Sequence, residues 1–142
     1  MDSLPTHPAP RGNYKPGLVY NGILYVSGQV SRDENGVALT GHLEAGSDLE
    51  TAREAARIAM RRCLSIMADG PEGLDRIAQV LMVRGFINSS PGFADHAKVM
   101  DAASDLLVSF LGERGTHARI ALGVASLPSD GLVEIELQAA LL

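Results

Sequence analysis

The residues best suited to chemistry lie near the C-terminus. Arg119 sits in Ala118-Arg119-Ile120-Ala121-Leu122-Gly123-Val124, and Glu134 in Leu132-Val133-Glu134-Ile135-Glu136-Leu137-Gln138. Both segments alternate in polarity and read as strands with one apolar face. Ile120, Leu122 and Val124 share the apolar side of the first segment. Arg119, Ala121 and Gly123 share the other, so a charge stands beside two of the smallest residues, at the edge of a space. A guanidinium is a planar fork that grips a carboxylate through two parallel hydrogen bonds and stays charged at any relevant pH. A glutamate can orient or activate a water. Spacing leaves a plainer alternative open for both residues: an intersubunit salt bridge, or a solvated sheet face.

Other chemistries find little support. His7, His42, His96 and His117 show no ligand spacing, so neither a metal nor another cofactor is expected. Cys63 is the single cysteine and falls on an apolar helical stripe, as a buried thiol would. Ser27, in Val-Ser-Gly-Gln, has no histidine that can be placed beside it. It reads as a hydrogen-bond donor or a simple strand residue rather than a nucleophile. Dinucleotide, phosphate-loop and nucleophile-elbow motifs are missing. Asp33-Glu-Asn-Gly36 is a turn signal and lacks the further ligands of a calcium loop.

The elements that must position Arg119 and Glu134 are also readable. The chain has 142 residues, 46% hydrophobic and 20% charged, which suits one globular domain spanning 1–142. Residues 1–16 carry four prolines and read as an irregular arm. Ile23–Val30 is a strand of β-formers. Ser47-Asp-Leu-Glu50 has capping-box spacing and opens a helix whose inner stripe is Leu49, Ala52, Ala56, Ala59, Cys63 and Ile66. Arg53, Glu54, Arg57, Arg61 and Arg62 lie elsewhere on that helix, which ends near Asp69-Gly70-Pro71. Ile77–Asn88 is a strand covered on both faces over part of its length. Ser90-Pro91 opens a second helix with Val99, Ala103, Leu106, Leu107 and Phe110 inward, and Gly112 ends it. The order strand, strand, helix, strand, helix, strand, strand predicts an α/β domain with two helices on one face of a mixed sheet. The other face is expected to carry Arg119, Glu134, Glu136 and Gln138, either wet or against another subunit.

Charge and termini bound the partners. A net charge of −5 without a basic cluster argues against nucleic acid, and 4% aromatic residues without Trp leave no stacking platform. The N-terminus has neither a basic nor an apolar leader region, and no apolar run nears the ~20 residues of a membrane span. A cytoplasmic protein with no membrane partner is expected.

Tyr25-Val-Ser-Gly-Gln29 and Ala118-Arg119…Gly123-Val…Leu127-Pro128…Val133-Glu134-Ile-Glu136, joined by two helices in this order, resemble the RidA/YjgF superfamily of reactive-intermediate deaminases. Asn88-Ser89…Phe93, Val99–Leu107 and Gly115-Thr-His-Ala-Arg119 resemble a longer, less characterised branch of it. The resemblance implies a chorismate-mutase-like fold, a homotrimer whose sheets form a central barrel, and ligand clefts between subunits. It implies that Arg119 holds a substrate carboxylate, that Glu134 positions a hydrolytic water, and that Tyr14, Ser27 and Gly28 line the cleft. The implied reaction hydrolyses 2-imino or enamine acids, released by pyridoxal-phosphate enzymes, to 2-keto acids and ammonia. Neither nucleophile nor metal is required, because an imine carbon is already electrophilic. A non-catalytic module that binds small carboxylates is the alternative, and an endoribonuclease the remoter one. The surroundings depart from the deaminase pattern: His117 and Ser31 replace prolines, Ala121 replaces a frequent Cys, and Asp101 stands where an Asn often contributes to the cleft. An acid there would repel an anionic ligand unless neutralised.

Overall fold

Asn21 and Gly22 set up the first hairpin. Both have positive φ, 51° and 76°, as the tight turn between twisted strands requires. They join β1 (Gly17–Tyr20) to β2 (Ile23–Val30). The chain then forms α1 (Glu50–Met67), β3 (Ile77–Asn88), α2 (His96–Leu111), β4 (Ala118–Val124) and β5 (Val133–Leu141). This computed structural model describes residues 3–6 and 9–142, so His7 lies outside the described residues. Among the described residues, no helix is long and apolar enough to cross a membrane.

The five strands form one sheet in the order β1-β2-β5-β3-β4. Only β3 and β4 run parallel, because α2 carries the chain back between them. The β1–β2, β2–β5 and β3–β5 pairs are antiparallel. Both helices pack on one face, as the amphipathic patterns predict. Ala52, Ala56, Ala59, Met60, Cys63 and Met67 of α1 are fully buried. So are Val99, Met100, Ala103 and Leu107 of α2, against Val83, Ile87, Ile135 and Ala139 of the sheet. The alanines let α1 approach its neighbours closely. The Cys63 thiol donates to the carbonyl of Ile135 at 3.5 Å, and burial drives its pKa upward, so it is a structural thiol.

Both expected helix starts shift. Ser47 does not cap α1: its hydroxyl accepts from the Glu44 N–H at 2.9 Å and closes a local turn. The Asp48 carboxylate instead accepts the Glu50 N–H at 3.0 Å. Likewise, Ser90-Pro91 closes a turn, in which the Phe93 N–H donates to the Ser90 carbonyl, and α2 begins only at His96. Phe93 is buried by this turn, with its ring edge-on to His96 at 5.0 Å. Burying the phenyl outweighs extending the helix by a turn. Gly112 ends α2 as expected, at φ 60°.

Two burial expectations also change. Ile120 and Leu122 are 45% and 44% exposed, because their side of β4 faces away from the helices. Arg62, placed off the apolar stripe of α1, is only 8% exposed.

Leu107 fills the interface of α2 with the sheet. Leu107→Ala removes its side-chain carbons from a packed site and is expected to cost about 2–5 kcal/mol. A lower urea midpoint with an unchanged slope would register this.

Candidate functional site

The first cluster lies at the margin between α2 and the edge strand β4. Arg119 pairs with the buried Val83, which fixes its side chain on the helix-covered face. Its Nη1 donates to Asp101 Oδ1 at 2.9 Å and to Ser104 Oγ at 3.0 Å. Asp101 and Ser104 share a face of α2 by their three-residue spacing. His117 Nε2 lies 2.9 Å from Ser104 Oγ, and its Nδ1 lies 2.6 Å from the Gly115 carbonyl. A carbonyl only accepts, so Nδ1 donates; in the neutral ring Nε2 then accepts the Ser104 proton. The chain of donors runs from Arg119 to Ser104 to His117 to Gly115. It orients the guanidinium while Asp101 occupies part of its fork. Ala121 and Gly123 keep the strand beside it low: a Cβ on Gly123 would come within 2.5 Å of Ser89 Oγ and 2.9 Å of His96 Nε2.

The second cluster lies where β2 meets β5. The register of this pair slips between Val26 and Gln29, which re-aims Ser27 and Gly28. The Ser27 hydroxyl donates to the Lys15 carbonyl at 2.6 Å, and its N–H donates to the Pro16 carbonyl at 2.9 Å. Ser27 thus pins the N-terminal arm to the sheet. Gly28 lies close to the Glu134 carboxylate: a Cβ there would stand 2.3 Å from Glu134 Oε2, so the carboxylate would have to move aside. Ser31 is fully buried and its N–H donates to the Val133 carbonyl at 2.9 Å, a bond proline could not make. Tyr14, Gly28, Arg32, Arg62 and Glu134 line a cleft of about 450 Å³ beneath the arm. Burial raises the Glu134 carboxyl above its ordinary range, the nearby Glu136 raises it further, and Arg32 opposes both.

The expected site residues therefore gather as two separate groups. Arg119, Asp101, His117 and Ala121 belong to the α2–β4 margin; Tyr14, Ser27, Gly28 and Glu134 belong to the β2–β5 end. In β5, Val133, Ile135 and Leu137 are buried while Glu134, Glu136 and Gln138 alternate onto the uncovered face. The alternation along β4 predicts Arg119 on that same face, with Ala121 and Gly123. It lies instead with them on the helix side, because it pairs in register with Val83, whereas Glu134 pairs with Phe86 and Val30. Within one chain the sheet itself separates Arg119 from Glu134. Ser104, Arg32 and Arg62 join these groups without having been expected there. The Asp101–Ser104 spacing is a usable signal for the first; nothing local marks the other two.

Known proteins share this architecture and sequence. The sequence profile described as endoribonuclease L-PSP matches residues 5–141. Protein TCP17 of Trypanosoma cruzi is 38% identical over 134 residues, covering 94% of this chain and 84% of its own. The crystal structure of Atu1372 from Agrobacterium tumefaciens, a protein of unknown function, superposes with a TM-score of 0.85 at 35% identity, over 92% of this chain and 83% of that one. A Shewanella oneidensis protein provisionally labelled an endoribonuclease gives a TM-score of 0.90 at 29% identity, over 97% and 91% of the two chains. These endoribonuclease names run against the expectation that nucleic acid is not a partner.

The electrostatics of Glu134 yield a pH prediction. Its folded-state pKa is raised, so its stabilising contribution is present below the unfolded carboxyl range and is lost as pH rises through the raised value. Glu134→Gln removes that loss. Thermal melts should show the variant more stable than wild type at pH 7, with the gap closing near about pH 4. A gap that is constant across this range contradicts the assignment.

Proposed function

The chain belongs to the endoribonuclease L-PSP family, the YjgF/RidA family that its motifs resemble, and from that premise we propose that it hydrolyses 2-imino or enamine acids to 2-keto acids and ammonia. The observation that carries this reading is the division of the site. One half presents a guanidinium, the other a half-buried carboxylate beside a glycine, and the sheet keeps them apart in a single chain. A second copy that brings its α2–β4 margin to the Glu134 cleft of the first completes the pair. The uncovered sheet face favours such an assembly: Leu18, Tyr25, Ile120 and Leu122 are all exposed on the isolated chain. A homotrimer with one cleft at each interface is the closed arrangement the family resemblance implies.

The chemistry asks little of the protein. Arg119 fixes the substrate carboxylate, and Glu134 accepts a hydrogen bond from a water aimed at the imine carbon. The water oxygen bonds to that carbon, and its proton reaches the imine nitrogen by way of Glu134. The resulting carbinolamine expels ammonia and leaves the keto acid. Proximity and orientation supply the acceleration, and no nucleophile is consumed. Glu134 must be ionised to accept the proton, and its raised pKa makes the ionised carboxylate a stronger base than an ordinary glutamate.

One feature favours a second reading, a module that binds small carboxylates without turning them over. Asp101 sits on the Arg119 fork at 2.9 Å and competes with any ligand carboxylate. The two readings separate experimentally. With an amino-acid oxidase or serine dehydratase supplying imine, the deaminase reading expects faster keto-acid appearance, and Arg119→Ala should remove the gain. Asp101→Asn should lower KM by several-fold while leaving kcat similar, because it frees the fork. Thermal stabilisation by keto acids, lost in Arg119→Ala but without acceleration for any amino acid, establishes the binding module instead. Metal-free RNA cleavage lost in Arg119→Ala would replace both with a nuclease.

A further inference from the structure

The cleft beside Glu134 is lined by more positive charge than the proposed reaction uses. Arg62 reaches it from α1, Arg32 from the segment after β2, and Arg11 from the N-terminal arm. Arg62 is 8% exposed, yet its only hydrogen bond among the described residues is a long one, from Nη1 to the Arg32 carbonyl at 3.4 Å. Arg32 donates from Nη2 to Ser129 Oγ at 2.5 Å. The Nε atoms of both arginines are buried and have no partner among the described residues. Nor, among those residues, does any carboxylate lie within ion-pair distance of Arg11, Arg32 or Arg62. Asp33, Glu34 and Glu134 also line the cleft. The Asp33 carboxylate, however, is engaged by the N–H groups of Asn35 and Val37, both at 2.9 Å.

Such a cluster is costly. Burial disfavours the charged guanidinium of both Arg32 and Arg62, and the neighbouring arginines repel it further; Tyr14, and at Arg32 also Glu134, oppose this only in part, so both pKa values are lowered. Guanidinium groups nonetheless remain charged in proteins. Buried charges are ordinarily paired, and breaking or omitting the partner is strongly unfavourable. A group of arginines that Glu134 offsets only in part, around a cleft of ligand size, points to an anion as the missing partner.

We infer that Arg11, Arg32 and Arg62 seat an oxyanion group, carboxylate or phosphate, of a small ligand bound beside Glu134. Resting on the hydrolase reading above, this makes the substrate a 2-imino acid with a second acidic group. Arg119 of a neighbouring copy would hold the first carboxylate and the arginine cluster the distal one. The distal charge would select imines of acidic amino acids over those of alanine or leucine.

Inorganic phosphate and succinate, titrated into the full-length protein by calorimetry, test the cluster separately from the reaction. At least one should bind, and Arg32→Gln and Arg62→Gln should each weaken it about ten-fold or more, as loss of a charged hydrogen bond does. Arg32→Gln serves if the more buried Arg62→Gln does not fold. Phosphate is gripped at one end only, so Arg119→Ala should leave its affinity unchanged. With imines supplied enzymatically, preference for the aspartate-derived over the alanine-derived imine should fall about ten-fold in Arg32→Gln. Anion binding that depends on Arg32 in a protein that hydrolyses no imine keeps the cluster and removes the hydrolase reading. No binding of either anion, or equal binding by wild type and Arg32→Gln, overturns the inference. So does an RNA oligonucleotide that displaces phosphate from these arginines, since the occupant would then be a polyanionic chain.

Discussion

Neighbouring residues in a strand must face opposite sides of the sheet, and in this chain only one side is covered by helices. That parity, fixed by register, sets the surroundings of every charged group in the central strands. Arg119 opposite Val83 is turned toward α2, where Asp101 and Ser104 meet it. Glu134 opposite Phe86 is turned away, into a cleft made by the β2 bulge and the N-terminal arm. A slip of one residue in β5 would turn Glu134 to the helix-covered face and bury it against apolar helices. The alternation of Val133, Ile135, Leu137 and Ala139 prevents it, because each must remain in the core. The apolar register of β5 thus holds the polar site in place.

The two charged regions are balanced differently. Around Arg119 the charge is answered locally: Asp101 neutralises it, and a hydroxyl and an imidazole set its direction. Around Glu134 the excess is positive and left open, with buried arginine nitrogens lacking partners among the described residues. A closed charge pair supports orientation and tolerates an empty site. An open cluster of this kind is one that an arriving anion would stabilise. The arm sets the width of this second region, and Ser27 ties it down through the Lys15 and Pro16 carbonyls. The Ser27 hydroxyl therefore acts as a hydrogen-bond donor that tethers the arm.

Much of the architecture is legible along the chain. The periods of 3.6 and 2 locate both helices and the long strands, since burial of an apolar stripe is the main force that forms them. Gly112 and the Asp33–Gly36 turn behave as their local chemistry requires. Helix starts are less legible. Ser47 and Ser90 are good caps, but each hydroxyl or carbonyl finds a nearer partner in a local turn, and α2 gives up a turn to bury Phe93. Arg62 falls off the apolar stripe, and periodicity reports only the helix's own faces, so its burial is not legible from them. The arm and the segment after β2, distant in sequence, are what cover it.

Residue order alone is enough for the element types and their succession and for a mixed sheet with helices on one side, and it singles out Arg119 and Glu134 as candidates for chemistry. These follow from local propensity and apolar period, which neighbours along the chain are enough to express. Three further relations arise on folding: the two residues stand on opposite faces, Asp101 occupies the arginine fork, and three distant arginines converge beside Glu134. Strand register and long-range packing set those relations, and both depend on contacts between residues far apart in the chain.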